Sequence, residues 1–121
     1  MSQRPHKKLN VWKESIELVK DIYKVTRKFP KDEQFGMISQ MRRASVSVPV
    51  NIGEGAARKS NKEYNQFLYI ADGSLSELDT LLIISLELEF ISKTEFESLI
   101  SKLEKNSAML AGLINHVESK I

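Results

Sequence analysis

Six hydrogen-bonding side chains recur along one stretch of this sequence at the spacing of an α-helix. At 100° per residue they fall within about 60° of one another on a helical wheel. They are Gln40, Arg43, Ser47, Asn51, Glu54 and Arg58. An adjacent face carries the apolar side chains Ile38, Met41, Val48 and Ile52. This helix is therefore predicted to bury an apolar stripe and to carry a polar stripe along its whole length.

One interpretation of the polar stripe is structural. Polar groups inside a helical bundle are tolerated when they hydrogen-bond one another. Ser74 and Glu77, at the edge of the apolar face of the next helix, are candidate partners. An Arg43–Glu77 or Arg43–Glu54 pair would be charge-assisted and would fix helix register or a subunit contact. The predicted network consists of Gln40, Arg43, Ser47, Asn51, Glu54, Ser74 and Glu77.

Catalytic and metal-binding chemistry has few candidate residues here. Histidine occurs only at His6 and His116, near the two ends, and there is no cysteine. The sequence has no Glu-x-x-His pair, no HExxH motif and no glycine-rich phosphate loop. Glu54 and Glu77 could form an acid/base pair, but arginine more often neutralises such carboxylates. We therefore expect a non-enzymatic protein without a metal or cofactor.

Positive charge is concentrated in the first half of the chain. Residues 1–60 contain 13 Lys and Arg against 6 Asp and Glu, whereas residues 61–121 contain 5 against 10. All five arginines lie in the first half. Such segregation is typical of a polyanion-binding surface. The alternative is that a basic pair of helices packs against an acidic pair.

Two groupings of basic residues are candidate phosphate-binding sites. The first comprises Arg42, which points away from the polar stripe, with Arg58, Lys59 and Lys62. The second comprises Lys7, Lys8, Arg27, Lys28 and Lys31. Solvated Lys and Arg side chains usually bind nothing specific, but this concentration favours phosphate contacts that position a nucleic acid without reading its bases. No basic motif interleaved with aromatic residues indicates sequence-specific recognition.

Four helical segments are predicted from apolar periodicity. They cover about 10–28, 32–58, 61–89 and 93 to the end of the chain. Pro30 stops the first, and Pro49 predicts a kink in the second or its division into two shorter helices. Ser60 or Asn61 caps the third, and a capping box of Ser92 and Glu95 opens the fourth.

The predicted fold is all-α, a single antiparallel up-and-down four-helix bundle over residues 1–121. The first helix carries two apolar stripes, and Leu81, Ile84 and Leu88 widen the third. This surplus of apolar surface is predicted to be buried against a second copy of the chain. The alternative is that it belongs to a wide intramolecular core. No apolar run approaches the ~18 residues of a membrane span. The first eight residues lack the apolar block of a signal peptide, so a soluble cytoplasmic protein is expected.

The chain resembles the bacterial 23S rRNA intervening-sequence proteins. The longest matching block runs from Ser39 to Gly55 with the pattern SQxxRAxVSVPxNIxEG, followed by Arg58. Further matches are Leu9, Val11, Trp12, Phe29, Pro30, Lys31, Glu33, Phe35, Gly36, Phe67, Leu68, Ala71, Gly73, Ser74 and Glu77. Gly53 stands where the family pattern leads us to expect alanine.

The resemblance implies a four-helix bundle of largely undefined role. The chain is also similar to the accessory variability protein of diversity-generating retroelements, which forms a five-subunit barrel and binds nucleic acid and a reverse transcriptase. This similarity implies a homo-oligomer of five subunits, with nucleic acid and a reverse transcriptase as partners. The leading hypothesis is a nucleic-acid-binding homo-oligomer, and the alternative is a protein–protein scaffold with no nucleic-acid role.

Overall fold

A computed structural model describes residues 4–121 as four α-helices preceded or joined by short segments. The helices are α1 (Asn10–Thr26), α2 (Met37–Ala56), α3 (Asn61–Glu87) and α4 (Lys93–Glu118). Short 3₁₀ helices at Pro5–Lys8 and Lys31–Glu33 precede α1 and α2. The predicted all-α four-helix bundle is confirmed. Residues 1–3, part of the segment considered above as a signal peptide, lie outside the described residues.

The helices pack in sequence order around one core, and α4 closes the bundle against α1. At one end Phe29 and Phe90 place their rings 5.3 Å apart. At the other end the side chain of Asn61 donates to the carbonyl of Lys120. The core is built from leucine, isoleucine, valine and methionine side chains, the largest of which are Leu18, Ile22, Met41, Ile52, Leu68, Leu75, Leu78, Leu82 and Leu110. Burying such a side chain stabilises a fold by about 1.5–3 kcal/mol.

The predicted helix caps at Ser60 and Ser92 are confirmed. Ser60 Oγ accepts from the backbone N–H of Glu63 at 3.1 Å. Ser92 and Glu95 form the reciprocal pair of a capping box. The third helix ends two residues earlier than predicted, because Glu89 adopts a left-handed conformation with φ of 64°. These caps satisfy backbone groups that have no partner within the helix.

The second helix begins later than the sequence predicted. It starts at Met37 instead of Asp32 or Glu33, because Gly36 breaks the helical backbone with φ −108° and ψ −112°. The Glu33 carboxylate then accepts from the N–H of Met37 at 3.1 Å. The helix runs unbroken through Pro49, so the alternative of two shorter helices is wrong. A bend at Pro49 stays a prediction.

Burial on α1 and α4 refines the predicted stripes. On α1, one stripe is buried, and the other, represented by Trp12 and Tyr23, is half-buried within the single chain. On α4, Asn106 occupies a core position with 1% of its surface exposed, whereas Ile121 is 67% exposed. The buried face of α4 therefore ends at Val117, before the end of the chain.

Candidate nucleic-acid interface

The antiparallel topology gathers basic residues from three segments of the chain at one end of the bundle. We call residues 4–8, 54–63 and 116–121 the basic end. These residues include seven Lys and Arg against three Glu, namely Arg4, Lys7, Lys8, Arg58, Lys59, Lys62 and Lys120 against Glu54, Glu63 and Glu118. All seven cationic side chains are exposed. The basic end is therefore a surface of net positive charge.

Two local contacts hold the segments of the basic end together. The His6 ring packs edge-on against Trp12, with 5.1 Å between centroids, and lies against Gly53 of α2. This contact fixes the 3₁₀ helix that carries Lys7 and Lys8 beside the end of α2. On the other side, Asn61 joins the start of α3 to Lys120.

The basic side chains at this end differ in their contacts. Arg58 pairs with Glu54 at 2.8 Å, one helical turn away, and its guanidinium lies 4.7 Å from the centre of the Phe67 ring. Within the described part of the chain, Lys59 and Lys62 form no ion pair. The two lysines are therefore available for an external anion, whereas Arg58 is already partly neutralised.

The grouping of Lys7 and Lys8 with Arg27, Lys28 and Lys31 is wrong. Lys7 and Lys8 precede α1, whereas the other three follow it at the opposite end of the bundle, which we define as residues 24–35 and 87–97. The opposite end contains five Lys and Arg against six Asp and Glu. Charge there is balanced.

Lys28 shows how the balance at the opposite end arises. Its ammonium group pairs with the carboxylate of Glu95 from α4. The hydrogen bond from Lys28 lowers the pKa of the Glu95 carboxyl, and the backbone N–H of Ser92 lowers it further. Arg27 is exposed beside this pair.

Arg42 belongs to the interior contacts of the bundle and lies far from Arg58. Fourteen residues of α2, about 21 Å, separate Arg42 from the helix end at Ala56, and Arg58 lies beyond that end. The Arg42 Nε donates to Thr26 Oγ1 at 2.9 Å, and the guanidinium lies 4.5 Å from the centre of the Tyr23 ring. Arg42 thus links α2 to α1, and the expected grouping of Arg42 with Arg58, Lys59 and Lys62 is not one surface of the chain.

Part of the predicted polar stripe forms a hydrogen-bonded cluster between α2 and α3. Ser74 Oγ donates to Ser47 Oγ at 2.8 Å. The Asn51 amide donates to Ser47 Oγ at 2.9 Å and to the Ser47 carbonyl at 2.8 Å. The cluster joins three of the seven predicted members and fixes the register of the two helices.

The remaining members of the stripe are exposed. Arg43 and Glu77 stand side by side, because the Ser47–Ser74 contact sets the antiparallel register, but they form no ion pair within residues 4–121. Within one chain, Arg43 and Glu54 do not pair, since eleven residues along α2 separate them by about 16 Å. Gln40 is exposed one turn before Arg43.

These exposed residues line a groove of about 800 Å³ along α2. We call it the α2 groove, and its lining includes Phe35, Gln40, Arg43, Val50, Ser74 and Glu77. Phe35 is 95% exposed and Val50 is 51% exposed. The groove therefore combines uncovered apolar side chains with two arginines, Arg42 and Arg43, and one carboxylate, that of Glu77.

The acid/base pair considered above is not assembled in the single chain. Gly55 packs against Tyr64 and Phe67, which places Glu54 near the start of α3. Glu77 lies ten residues beyond Phe67, so the two carboxylates are about 15 Å apart along the bundle.

Across the described residues, no cluster of three His, Cys, Asp or Glu side chains could hold a metal ion. Likewise, none of the helices described is long and apolar enough to cross a membrane.

Comparison with known proteins identifies the family. The model of the 23S rRNA-intervening sequence protein family matches residues 7–112, which is most of the chain. The chain belongs to this family. A solved structure of a protein of unknown function from the S23 ribosomal protein family of Bacteroides thetaiotaomicron is also similar. It shares 24% identity with a TM-score of 0.77, covering 86% of this chain and 97% of that one, and supports the fold. No curated protein matches the sequence.

In this family member, sequence reasoning missed three residues that the structure places in the candidate surfaces. Arg4 and Lys120 join the basic end, and Phe35 projects beside the α2 groove. The signal for Arg4 and Lys120 was the antiparallel topology itself, because it brings both residues to the end of the bundle where α2 meets α3. The signal for Phe35 was its position just before a helix-breaking glycine.

Proposed function

We propose that this protein is a non-enzymatic, homo-oligomeric helical bundle that binds RNA or DNA through backbone phosphates. The observation that carries the proposal is the basic end, where seven cationic side chains meet three carboxylates. Lysines on separate segments reach several phosphates at once, which gives affinity without sequence readout. The family description, which refers to a 23S rRNA intervening sequence, supports an RNA-related setting.

The test is a binding titration against salt with two matched variants. The first replaces Lys7, Lys8, Lys59 and Lys62 with glutamine. The control replaces Lys24, Arg27, Lys31 and Lys93 at the opposite end, so both variants lose four positive charges and alter exposed residues. Arg42 and Arg58 are left in place because both make contacts within the chain.

We expect the affinity of the parent to fall steeply as salt rises. Each phosphate contact contributes about 0.9 to the slope of log affinity against log salt on a duplex. The basic-end variant should lose up to about 3–4 of that slope if all four lysines contact phosphates. The control should keep the parental slope. Equal loss in both variants would reject the basic end as the site and leave only a net-charge effect.

The oligomer that we propose forms through the α2 groove. Besides Phe35 and Val50, Ile70 is 51% exposed on α3 at the level of Asn51. Apolar side chains that are uncovered together mark interaction surfaces. Arg43 and Glu77 also give the groove both signs of charge, so Arg43 of one copy can pair with Glu77 of the next.

Light scattering tests the assembly through a single substitution in the groove. We expect the parent to exceed the 13.8 kDa of one chain, and the five-subunit arrangement would give five times that mass. Phe35→Ser should lower the mass without unfolding the chain, because Phe35 makes little contact within it. Ile121→Ser removes an exposed apolar side chain outside the groove and should not change the mass. A parent of 13.8 kDa would contradict the oligomer.

The rival function is a protein–protein scaffold, which the α2 groove favours. In that case Arg43→Ala or Glu77→Ala changes the mass of the oligomer or the stability of the protein. The parent then binds nucleic acid negligibly at every salt concentration. Because both functions predict an oligomer that forms through the α2 groove, the salt titration is the measurement that separates them.

A further inference from the structure

The aromatic side chains around the basic end are largely covered by the protein's own packing. Tyr64 and Phe67 are half-buried where α3 meets Gly55, and the guanidinium of Arg58 lies over the Phe67 ring. Trp12 is half-buried beside His6. His116 is the one aromatic side chain that is exposed within residues 4–8, 54–63 and 116–121. The basic end therefore offers cations but no platform of Phe, Tyr or Trp rings.

The strongly exposed aromatic rings lie elsewhere in the described chain. Phe35 is at the opposite end, and Tyr69, 52% exposed, lies about two turns into α3. Proteins that bind single strands without sequence preference combine a positive groove with aromatic rings on which successive bases stack. The basic end has the positive charge but lacks strongly exposed aromatic rings on which bases could stack.

A surface of lysines alone is better matched to a duplex. Double-stranded DNA presents one negative charge per about 1.7 Å of its axis and releases more counterions per neutralised phosphate than a single strand does. The lysines of the basic end also stand on different segments, with Lys7 and Lys8 before α1 and Lys59 and Lys62 at the α2–α3 junction. Packed helices are about 8–10 Å apart, so these lysines can reach phosphates on both sides of a groove.

We infer that the basic end binds the backbone of double-helical nucleic acid, without base stacking and without sequence readout. The inference rests on the proposed function and names the structural class of its ligand. It assigns Lys7, Lys8, Lys59 and Lys62 as the phosphate contacts. RNA and DNA duplexes both present a phosphate backbone to these lysines, and the test compares the two.

The experiment measures the affinity of the full chain for four ligands of equal length at one salt concentration. These are an RNA duplex, a DNA duplex, oligo(U) and oligo(dT), and a second, unrelated sequence of each duplex is measured as a further sample. We expect at least one duplex type to bind about tenfold or more tightly than its unstructured single strand, and two sequences of that duplex to bind equally. The variant lacking Lys7, Lys8, Lys59 and Lys62 should lose the preference, whereas Tyr69→Ala should retain it.

The outcomes separate this inference from the proposed function. Single strands that bind as tightly as duplexes, or more tightly, would overturn the duplex inference and leave phosphate binding intact. Binding that depends on Tyr69 would overturn it as well, since a stacking ring would then carry affinity. If neither ligand class binds the parent, the proposed function fails and the inference fails with it.

Discussion

A Gly55→Ala substitution should lower the free energy of unfolding by about 1–3 kcal/mol, the usual effect of overpacking a tight contact. A Cβ atom at this position would lie 2.9 Å from Phe67 Cβ and 3.0 Å from both the Tyr64 carbonyl oxygen and a Tyr64 ring carbon. Two of these atoms belong to α3 close to its backbone, so no side-chain rotation relieves the clash. The helices α2 and α3 would have to move apart at the basic end.

Urea unfolding followed by circular dichroism measures this effect, and Gly73→Ala supplies the control. A Cβ at Gly73 meets no atom within 4 Å, and the residue lies inside α3. Alanine is more favourable than glycine in a helix by about 1 kcal/mol, so the control should be slightly more stable than the parent. Gly53→Ala should also be tolerated, since its Cβ would meet only the His6 ring at 3.5 Å. A Gly55→Ala variant as stable as Gly73→Ala would show that the α2–α3 contact is not tight.

Local signals made most of the fold predictable from the sequence. The apolar periodicity of α3 and the capping serines at 60 and 92 depend on neighbours within four residues, so they can be seen without a structure. The start of α2 could not be predicted in this way. It depends on Gly36 leaving the helical conformation and on the Glu33 carboxylate accepting from Met37, which propensity alone does not reveal.

The candidate site was less predictable because it depends on contacts between helices. A helical wheel correctly placed Ser47 and Asn51 on one face, and Ser74 then joined them from α3. The wheel gave no information on whether Arg43 would meet Glu77 within one chain. Counting basic residues along the sequence also grouped Lys7 with Arg27, although α1 places them at opposite ends of the bundle. Counts of charged residues along the sequence therefore did not show which residues share a surface until the topology of the helices was known.

Arg42 offers the second large effect, because it was predicted as a phosphate ligand and lies in a contact between helices. Arg42→Ala should lower the free energy of unfolding by about 1–3 kcal/mol, through loss of a hydrogen bond from a charged donor and of a cation–π contact. The partners lost are Thr26 Oγ1 at 2.9 Å and the Tyr23 ring. Arg42→Lys should restore little of the stability, since an ammonium lacks the planar guanidinium that donates from Nε while lying over a ring.

The control for Arg42 is Arg27→Ala, which removes an exposed arginine from the same end of the bundle and should change stability by no more than about 0.5 kcal/mol. Nucleic-acid binding measured below the unfolding temperature then separates the two possible roles. If Arg42 only joins α2 to α1, the salt dependence of binding stays parental in Arg42→Ala. If instead stability is unchanged and the slope falls by about 0.9, Arg42 contacts a phosphate and the α1–α2 link is dispensable. The two readouts are independent, because the contacts to Thr26 and Tyr23 act on stability, whereas a phosphate contact would act on the salt dependence of binding.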